Sequence, residues 1–196
     1  VSVQSALLAV LTTGPAYGSQ LQAEVLARAA HRRQLNAGQV YATLDRLVDQ
    51  GRATPAGTTD DGLPLYALTE TGRSAADTWL SSGPDTQRPD WDEMLDQVLV
   101  AASMEAAEPL AVISDYAAAW RASIASLRVQ SDAGTADDAE REGAALEAAA
   151  DDAAVLRAEA ALVWLEGIRE RLTEDRTAYT LHRSSARPRR GRPAAG

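Results

Sequence analysis

Residues 36–72 read NAGQVYATLDRLVDQGRATPAGTTDDGLPLYALTETG, and this stretch decides the fold. Asn36 with Gln39 three residues on is the pattern of a helix start in which the two side chains cap each other's backbone. Val40, Leu44, Leu47 and Val48 follow at helical spacing as a buried face, and Gly51 stops the helix. The period then changes. Arg52 to Ala56 and Leu65 to Leu68 read as short strands around a turn rich in Gly, Asp and Pro, Gly57 to Pro64. Pro55 has no amide hydrogen to give a central strand, so its strand belongs at an edge. Thr69 can accept from the first turn of another helix, which continues through Trp79 and Leu80.

Upstream, Val3, Leu7, Val10 and Leu11 mark one face of a short helix that Gly14-Pro15 ends. Ser19 is positioned to cap a second helix, whose inward face is Leu21, Val25 and Leu26 and which runs to about Ala30. A basic, polar stretch, His31-Arg32-Arg33-Gln34, separates it from the helix that Asn36 opens. Three helices, a hairpin and a fourth helix within residues 1–81 are the layout of a winged helix-turn-helix. The apolar start, Val1 to Leu11, has no basic segment before it and keeps helical spacing, so it reads as part of the fold and not as a leader. A cytoplasmic location is the expectation.

In such a layout the third helix meets the DNA. Gln39, Thr43, Arg46 and Gln50, spaced i, i+4, i+7 and i+11, read as its outward face, with Asn36 at the start. Arg favours guanine and Gln or Asn favours adenine, each good bidentate pair giving about 1–3 kcal/mol of discrimination. Arg32, Arg33 and Arg52 add cations nearby, as does Arg28 at the end of the second helix. The competing reading is a solvated polar face with Gln39 used up in capping.

Three motifs in order then resemble the PadR family of transcriptional regulators. Leu7 to Gly18 (LLAVLTTGPAYG) resembles its opening, an apolar helix followed by Gly-Pro and an aromatic-Gly pair. Leu35 to Leu47 resembles its recognition helix, with Gly38, Tyr41, Leu44 and Leu47 at matching places, and Leu65 to Arg73 its strand-to-helix exit, Leu-Thr-x-x-Gly. The resemblance implies a dimeric DNA-binding regulator, commonly a repressor, that responds to small aromatic or drug-like molecules. It also implies that Tyr41 contacts phosphate, although packing beside Leu44 and Val48 stays open. One departure stands out: the family's wing is usually basic, and this one is Thr58-Thr59-Asp60-Asp61-Gly62-Leu63-Pro64. Two carboxylates at its tip repel phosphate.

Residues 82–90 read as a linker and 91–182 as a helical dimerisation or effector domain, giving a mainly α protein. Trp91 to Ala102 is one helix; a second begins near Pro109 with Ile113, Ala117, Trp120, Ile124 and Leu127 on one face. A third runs from about Ala136 to Asp175. Its seam is Leu146, Ala149, Ala153, Leu156, Ala160, Val163 and Gly167, with Trp164, Ile168 and Leu172 on a neighbouring stripe. So long a helix suggests a partner subunit, with Leu146, Ala153, Leu156, Ala160, Val163 and Trp164 at the dimer contact. Trp79, Trp91, Trp120 and Trp164 could line an effector pocket, but tryptophans at core-facing helical positions more often serve packing, and no ligand is assigned to them. Residues 183–196 read as a disordered basic tail. Its Arg190-Gly191-Arg192-Pro193 resembles an AT-hook, which implies that Arg190 and Arg192 enter the minor groove.

The net charge of −9 argues against a uniformly nucleic-acid-binding surface, but its distribution is uneven. Residues 1–80 carry 6 Arg and 7 acids, residues 81–182 carry 8 Arg and 21 acids, and residues 183–196 carry 5 Arg and no acid. Cysteine is absent and only His31 and His182 are present, so thiol chemistry is excluded and neither imidazole-based catalysis nor a metal site is well placed. No glycine-rich phosphate loop or nucleophile elbow occurs. The chain reads as a non-enzyme without a cofactor. The alternative is a helical protein-interaction module that has lost specific DNA binding, and the acidic wing is the feature that favours it.

Overall fold

A computed structural model describes residues 2–30, 34–84, 86, 88–133 and 141–183. Among these, α1 (Ser2–Leu11), β1 (Ala16–Tyr17), α2 (Gly18–Arg28), α3 (Ala37–Asp49), β2 (Ala53–Thr58), β3 (Pro64–Leu68) and α4 (Glu70–Ser81) form the winged helix-turn-helix. Three longer helices follow: α5 (Trp91–Ser103), α6 (Pro109–Ala133) and α7 (Arg141–Glu174). The protein is mainly α, as its periodicities predict.

Helix α1 is the central post. Ala6 through Leu11 are all buried, because α1 is enclosed by α2, α3, α4 and α5. Thr12 and Thr13 close it by donating their hydroxyls to the Ala9 and Val10 carbonyls at 2.6 and 2.8 Å. The chain then enters a strand that periodicity could not show, β1, only two residues long. It pairs with β3 through Ala16–Tyr66 and Tyr17–Leu65, so the sheet has three antiparallel strands in the order β1-β3-β2. The expected hairpin is present as β2 and β3, β1 adds a third strand to it, and Pro55 stays on the edge strand as predicted. It also moves the start of α2: Tyr17 is the capping position and Ser19 already lies inside the helix.

The capping box at α3 forms as read. Asn36 Oδ1 accepts from the Gln39 amide at 2.9 Å and Gln39 Oε1 from the Asn36 amide at 3.1 Å. At the other end Gly51, with φ +65°, allows its own amide to reach the Val48 carbonyl and that of Arg52 to reach Leu47.

Helix α5 is buried on nearly every side, against α1, α2, α4 and α6. The winged helix and the second half therefore share one continuous core. The 82–90 connection is pinned as well, the Gly83 amide donating to Asp115 Oδ2 on α6 at 2.8 Å. Helix α7, whose length suggested a partner subunit, has a packing partner within the chain as well. Ala158, Ala161, Leu165, Ile168 and Leu172 are buried, and α6 is the helix that α7 packs on most extensively. Residues 175–183 then return across the end of α5 to the winged helix.

Candidate nucleic-acid interface

The third helix is presented with its N-terminal turn exposed: Asn36, Ala37, Gly38 and Gln39 all face solvent. The capping box uses one oxygen of each amide, which leaves the Asn36 and Gln39 –NH2 groups as donors. Arg46 is exposed two turns further on.

Thr43 does not join them. It is 8% exposed and its hydroxyl donates to the Gln39 carbonyl at 2.7 Å, so it belongs to the buried stripe Val40, Thr43, Leu44 and Leu47. The outward face therefore sits one residue away from the one read by polarity. At the same i, i+4, i+7, i+11 spacing, the crest opposite the core is Gly38, Ala42, Asp45 and Asp49, all exposed. Gln39, Arg46 and Gln50 line one flank of that crest, and Tyr41 and Val48, both half-buried, line the other. Small residues lie at the N-terminal half of the crest and carboxylates at the C-terminal half, so the N-terminal half is where a backbone carrying phosphates can approach. Gln50 accepts from Gln4 Nε2 of α1 at 2.9 Å, which holds it at the far end of the helix.

Tyr41 packs more specifically than either reading of it suggested. A side-chain carbon placed on Gly18 would fall 2.5 Å from the Tyr41 ring, so the ring rests on bare backbone at the start of α2. This explains why a glycine follows the aromatic residue at 17. Tyr66 of β3 lies near it; burial raises the Tyr66 phenol above its ordinary pKa, and Asp45 and Tyr41 push it further.

The cations are placed differently from expectation. Arg28 is buried at 3% exposure and makes no surface for phosphate. Its guanidinium pairs with Glu24 at 3.1 Å and donates to Ser103 and Leu181. Arg52 lines a cleft with Ser5, Glu70 and Trp79, on the side of α1 and α4. Arg32, Arg33, Arg190 and Arg192 lie outside the described residues. The wing tip folds on itself, Thr59 Oγ1 donating to Asp61 Oδ1 at 2.6 Å and accepting from the Leu63 amide at 3.0 Å.

The Arg52 cleft, about 900 Å³, runs between α1, α4, α5 and α6. Inside it the Trp79 indole N–H is buried without a hydrogen-bond partner. Gln97 spans the adjoining wall, its amide nitrogen donating to the Trp79 and Ser82 carbonyls at 2.6 and 2.7 Å while Tyr116 donates to its oxygen at 2.7 Å. Burial pushes the Tyr116 phenol well above its usual value, keeping it a donor. The four tryptophans do not converge: Trp79 lines this cleft, Trp120 a second cavity and Trp91 a third. Among the described residues no cluster of His, Asp and Glu could hold a metal ion, and no helix is long and apolar enough to cross a membrane.

The arrangement of helices, sheet and exposed third helix agrees with what a family comparison finds. Residues 7–78 match the model of the transcriptional regulator PadR-like family. Over these residues the chain is similar to that family. The match runs from the second half of α1 through most of α4 and includes all three quoted motifs. No curated protein matches the chain. Solved structures similar to it include Bacillus subtilis PadR in complex with operator DNA, at 20% identity and a TM-score of 0.39, covering 86% of this chain and 96% of that one. The same protein in complex with p-coumaric acid aligns at 19% identity and a TM-score of 0.38, covering 88% and 99%. The Vibrio cholerae virulence activator AphA aligns at 21% identity and 0.36, covering 88% and 98%.

Proposed function

We propose that the chain is a sequence-selective DNA-binding transcriptional regulator that works as a homodimer. The observation that carries this is the exposed first turn of α3, where Asn36 and Gln39 hold each other in place beside Gly38 and Ala42. Side chains fixed by mutual capping lose little freedom on reading a base edge, and small crest residues let the helix sit deep in a groove. Repression is the mode that the family resemblance implies.

Titration onto duplex from the gene's own upstream region, at two salt concentrations with competitor DNA, tests this. A selective complex with a steep salt slope is expected. Arg46→Ala should weaken it by about 1–3 kcal/mol, whereas Thr43→Val should leave it unchanged because that hydroxyl is turned inward. Weak, sequence-blind binding that ignores Arg46→Ala would instead favour a protein-interaction module, the reading that Asp45, Asp49, Asp60 and Asp61 favour. Repeating the titration with small aromatic acids and amines tests the Trp79 cleft as the effector site. A bound ring should quench Trp79 and shift the DNA affinity.

The dimer reading rests on α7. Leu146, Ala153, Leu156, Ala160 and Val163 are exposed, with Leu146 at 78%, Leu156 at 66% and Val163 at 75%. Trp164 is half-buried beside them. An apolar stripe along a helix roughly 50 Å long is costly to leave in water, and a second copy would cover it. Leu156→Glu with Val163→Glu should give a folded monomer by light scattering, with an unchanged helical circular-dichroism signal. A species that remains dimeric would place the interface elsewhere.

A further inference from the structure

Two arginines meet the carboxyl end of α5 and the turn after it. The last carbonyls of a helix have no partner within the helix, and a guanidinium can supply one. Arg28 of α2 donates to the Ser103 carbonyl at 2.8 Å. Arg176 Nη2 donates to the carbonyls of Met104, Glu105 and Ala107 at 3.2, 3.2 and 2.6 Å. Arg176 belongs to residues 175–183, a strap that runs from the end of α7 to the winged helix. Midway, the Leu181 amide donates to the Ser103 carbonyl at 3.0 Å, and the Leu181 carbonyl accepts from Arg28 at 3.0 Å. At its end Arg183 Nη2 donates to the Pro15 carbonyl at 2.5 Å and to Gln20 Oε1 at 3.0 Å. Pro15 and Gln20 bracket Gly18, the residue on which the Tyr41 ring of α3 rests.

The strap is a direct tie between α7 and the winged helix. Among the described residues α7 packs extensively on α6 and on none of α1 to α4. Otherwise the two halves are joined through the apolar core around α5. Apolar burial is non-directional, whereas a hydrogen bond to a fixed carbonyl weakens steeply as its angle opens. The core therefore holds the halves together, and the strap's bonds fix the angle at which they meet. The first half of α5 is different: Glu93 and Gln97 line the cleft of about 900 Å³ that opens between α1, α4, α5 and α6. The junction is pinned by directed bonds at one end of α5 and hollow along the other.

We infer that the strap is the pivot that sets the angle between α7 and the winged helix, and so, in a dimer held by α7, the separation of the two α3 helices. Arg183 is its outermost positioning residue. This rests on the dimeric DNA-binding reading above and adds what fixes the spacing of the half-sites. Two linked reading units gain from binding together only when their separation matches that of their sites on the duplex.

The chain has no cysteine, so Ala42→Cys on the α3 crest and Glu170→Cys on α7, both exposed, take spin labels at those places alone. Labelled chains diluted into unlabelled ones should give a single narrow distance distribution. Arg183→Ala should broaden it; Arg183→Lys, which can still donate to the Pro15 carbonyl, should not. Equal thermal melts check that the fold is kept. The label-free proteins are then titrated onto duplexes carrying one half-site, or two with their centres stepped around one helical turn apart. The parent chain should prefer its best spacing about tenfold over a poorly matched one. Arg183→Ala should cut that preference to about threefold or less while leaving single half-site affinity within about twofold. An unchanged distance distribution in Arg183→Ala overturns the pivot. A broadened distribution with an unaltered spacing preference overturns its control of the half-sites. Equal losses on single and paired sites would make Arg183 a DNA contact and overturn its positioning role. A parent chain that selects no DNA, while its labels behave as expected, defeats the regulator reading and leaves the pivot standing.

Discussion

Gly72→Ala is expected to lower the melting temperature by about 6–12 °C, the equivalent of about 3 kcal/mol in a chain of this length. A side-chain carbon at Gly72 would lie 1.8 Å from the Arg52 carbonyl oxygen, an approach that only displacement of backbone can relieve. That backbone is fully engaged. The Arg52 carbonyl accepts the Thr69 amide at 3.2 Å, and the Arg52 amide donates to Leu47 at the end of α3. Thr69 in turn donates its hydroxyl to the Gly51 carbonyl at 2.6 Å and accepts the Gly72 amide at 3.0 Å. Four elements meet in this knot: the end of α3, the starts of β2 and α4, and the exit of β3. Overpacking against a flexible side chain usually costs about 1–3 kcal/mol, and the rigidity here puts the cost at the upper end or beyond. Thermal melts by circular dichroism read the effect directly; a shift under about 2 °C would show that α4 can slide away from Arg52. The same geometry gives the Leu-Thr-x-x-Gly motif its physical content, the threonine capping the helix and the glycine admitting the carbonyl.

Much of the fold was legible because its signals are local. The Asn36–Gln39 box, the Gly51 stop, Thr69 as a cap and Pro55 on an edge strand each depend on residues within a few positions of one another. What the sequence hid depends on contacts distant along the chain. Strand β1 is too short to alternate, and exists because Ala16 and Tyr17 meet β3 some fifty residues later. The seam on α7 was visible as spacing, and Ile168 and Leu172 marked part of the inward face, but Ala158 and Ala161 carry too little apolar surface to extend that stripe along the helix. The outward face of α3 was misjudged for a related reason. Sorting by polarity set Thr43 against solvent, whereas a threonine that returns its hydroxyl to the preceding turn can be buried as readily as a valine. Shifting the face by one residue replaces a row of hydrogen-bonding side chains by Gly38, Ala42, Asp45 and Asp49, which narrows the candidate DNA-reading residues to the first turn and one flank.

Arg28 is the largest departure from what adjacency implied, and it yields the second large effect. Standing four residues before Arg32-Arg33, it reads as part of a basic cluster. Its position after Leu21 and Val25 on the inward face of α2 puts it into the core instead. Burial pulls its guanidinium pKa down, while the charge of Glu24 and the hydrogen bond to it oppose that shift. The arginine stays charged and uses that charge to join parts of the molecule. One nitrogen reaches the Ser103 carbonyl at 2.8 Å and its hydroxyl at 3.1 Å; the other reaches Glu24 at 3.1 Å and Leu181 at 3.0 Å. Helix α2, the end of α5 and residues 175–183, a strap across them, are thereby held by one side chain. Arg28→Met, similar in length and without charge, is expected to cost about 3–5 kcal/mol, because it leaves the Glu24 carboxylate buried without its countercharge. Adding Glu24→Gln should recover more than about 1 kcal/mol of that loss, as the buried negative charge disappears. A double variant no more stable than Arg28→Met would mean that the carbonyls of Ser103 and Leu181, and not the ion pair, set the cost. Trypsin reports the other half of the argument. With Arg28 gone residues 175–183 lose their central fastening, and cleavage after Arg176 and Arg183 should accelerate well before the arginines within the helices are cut. Uniform acceleration at all sites would show that Arg28 supports the core as a whole and does not specifically hold the strap against the winged helix.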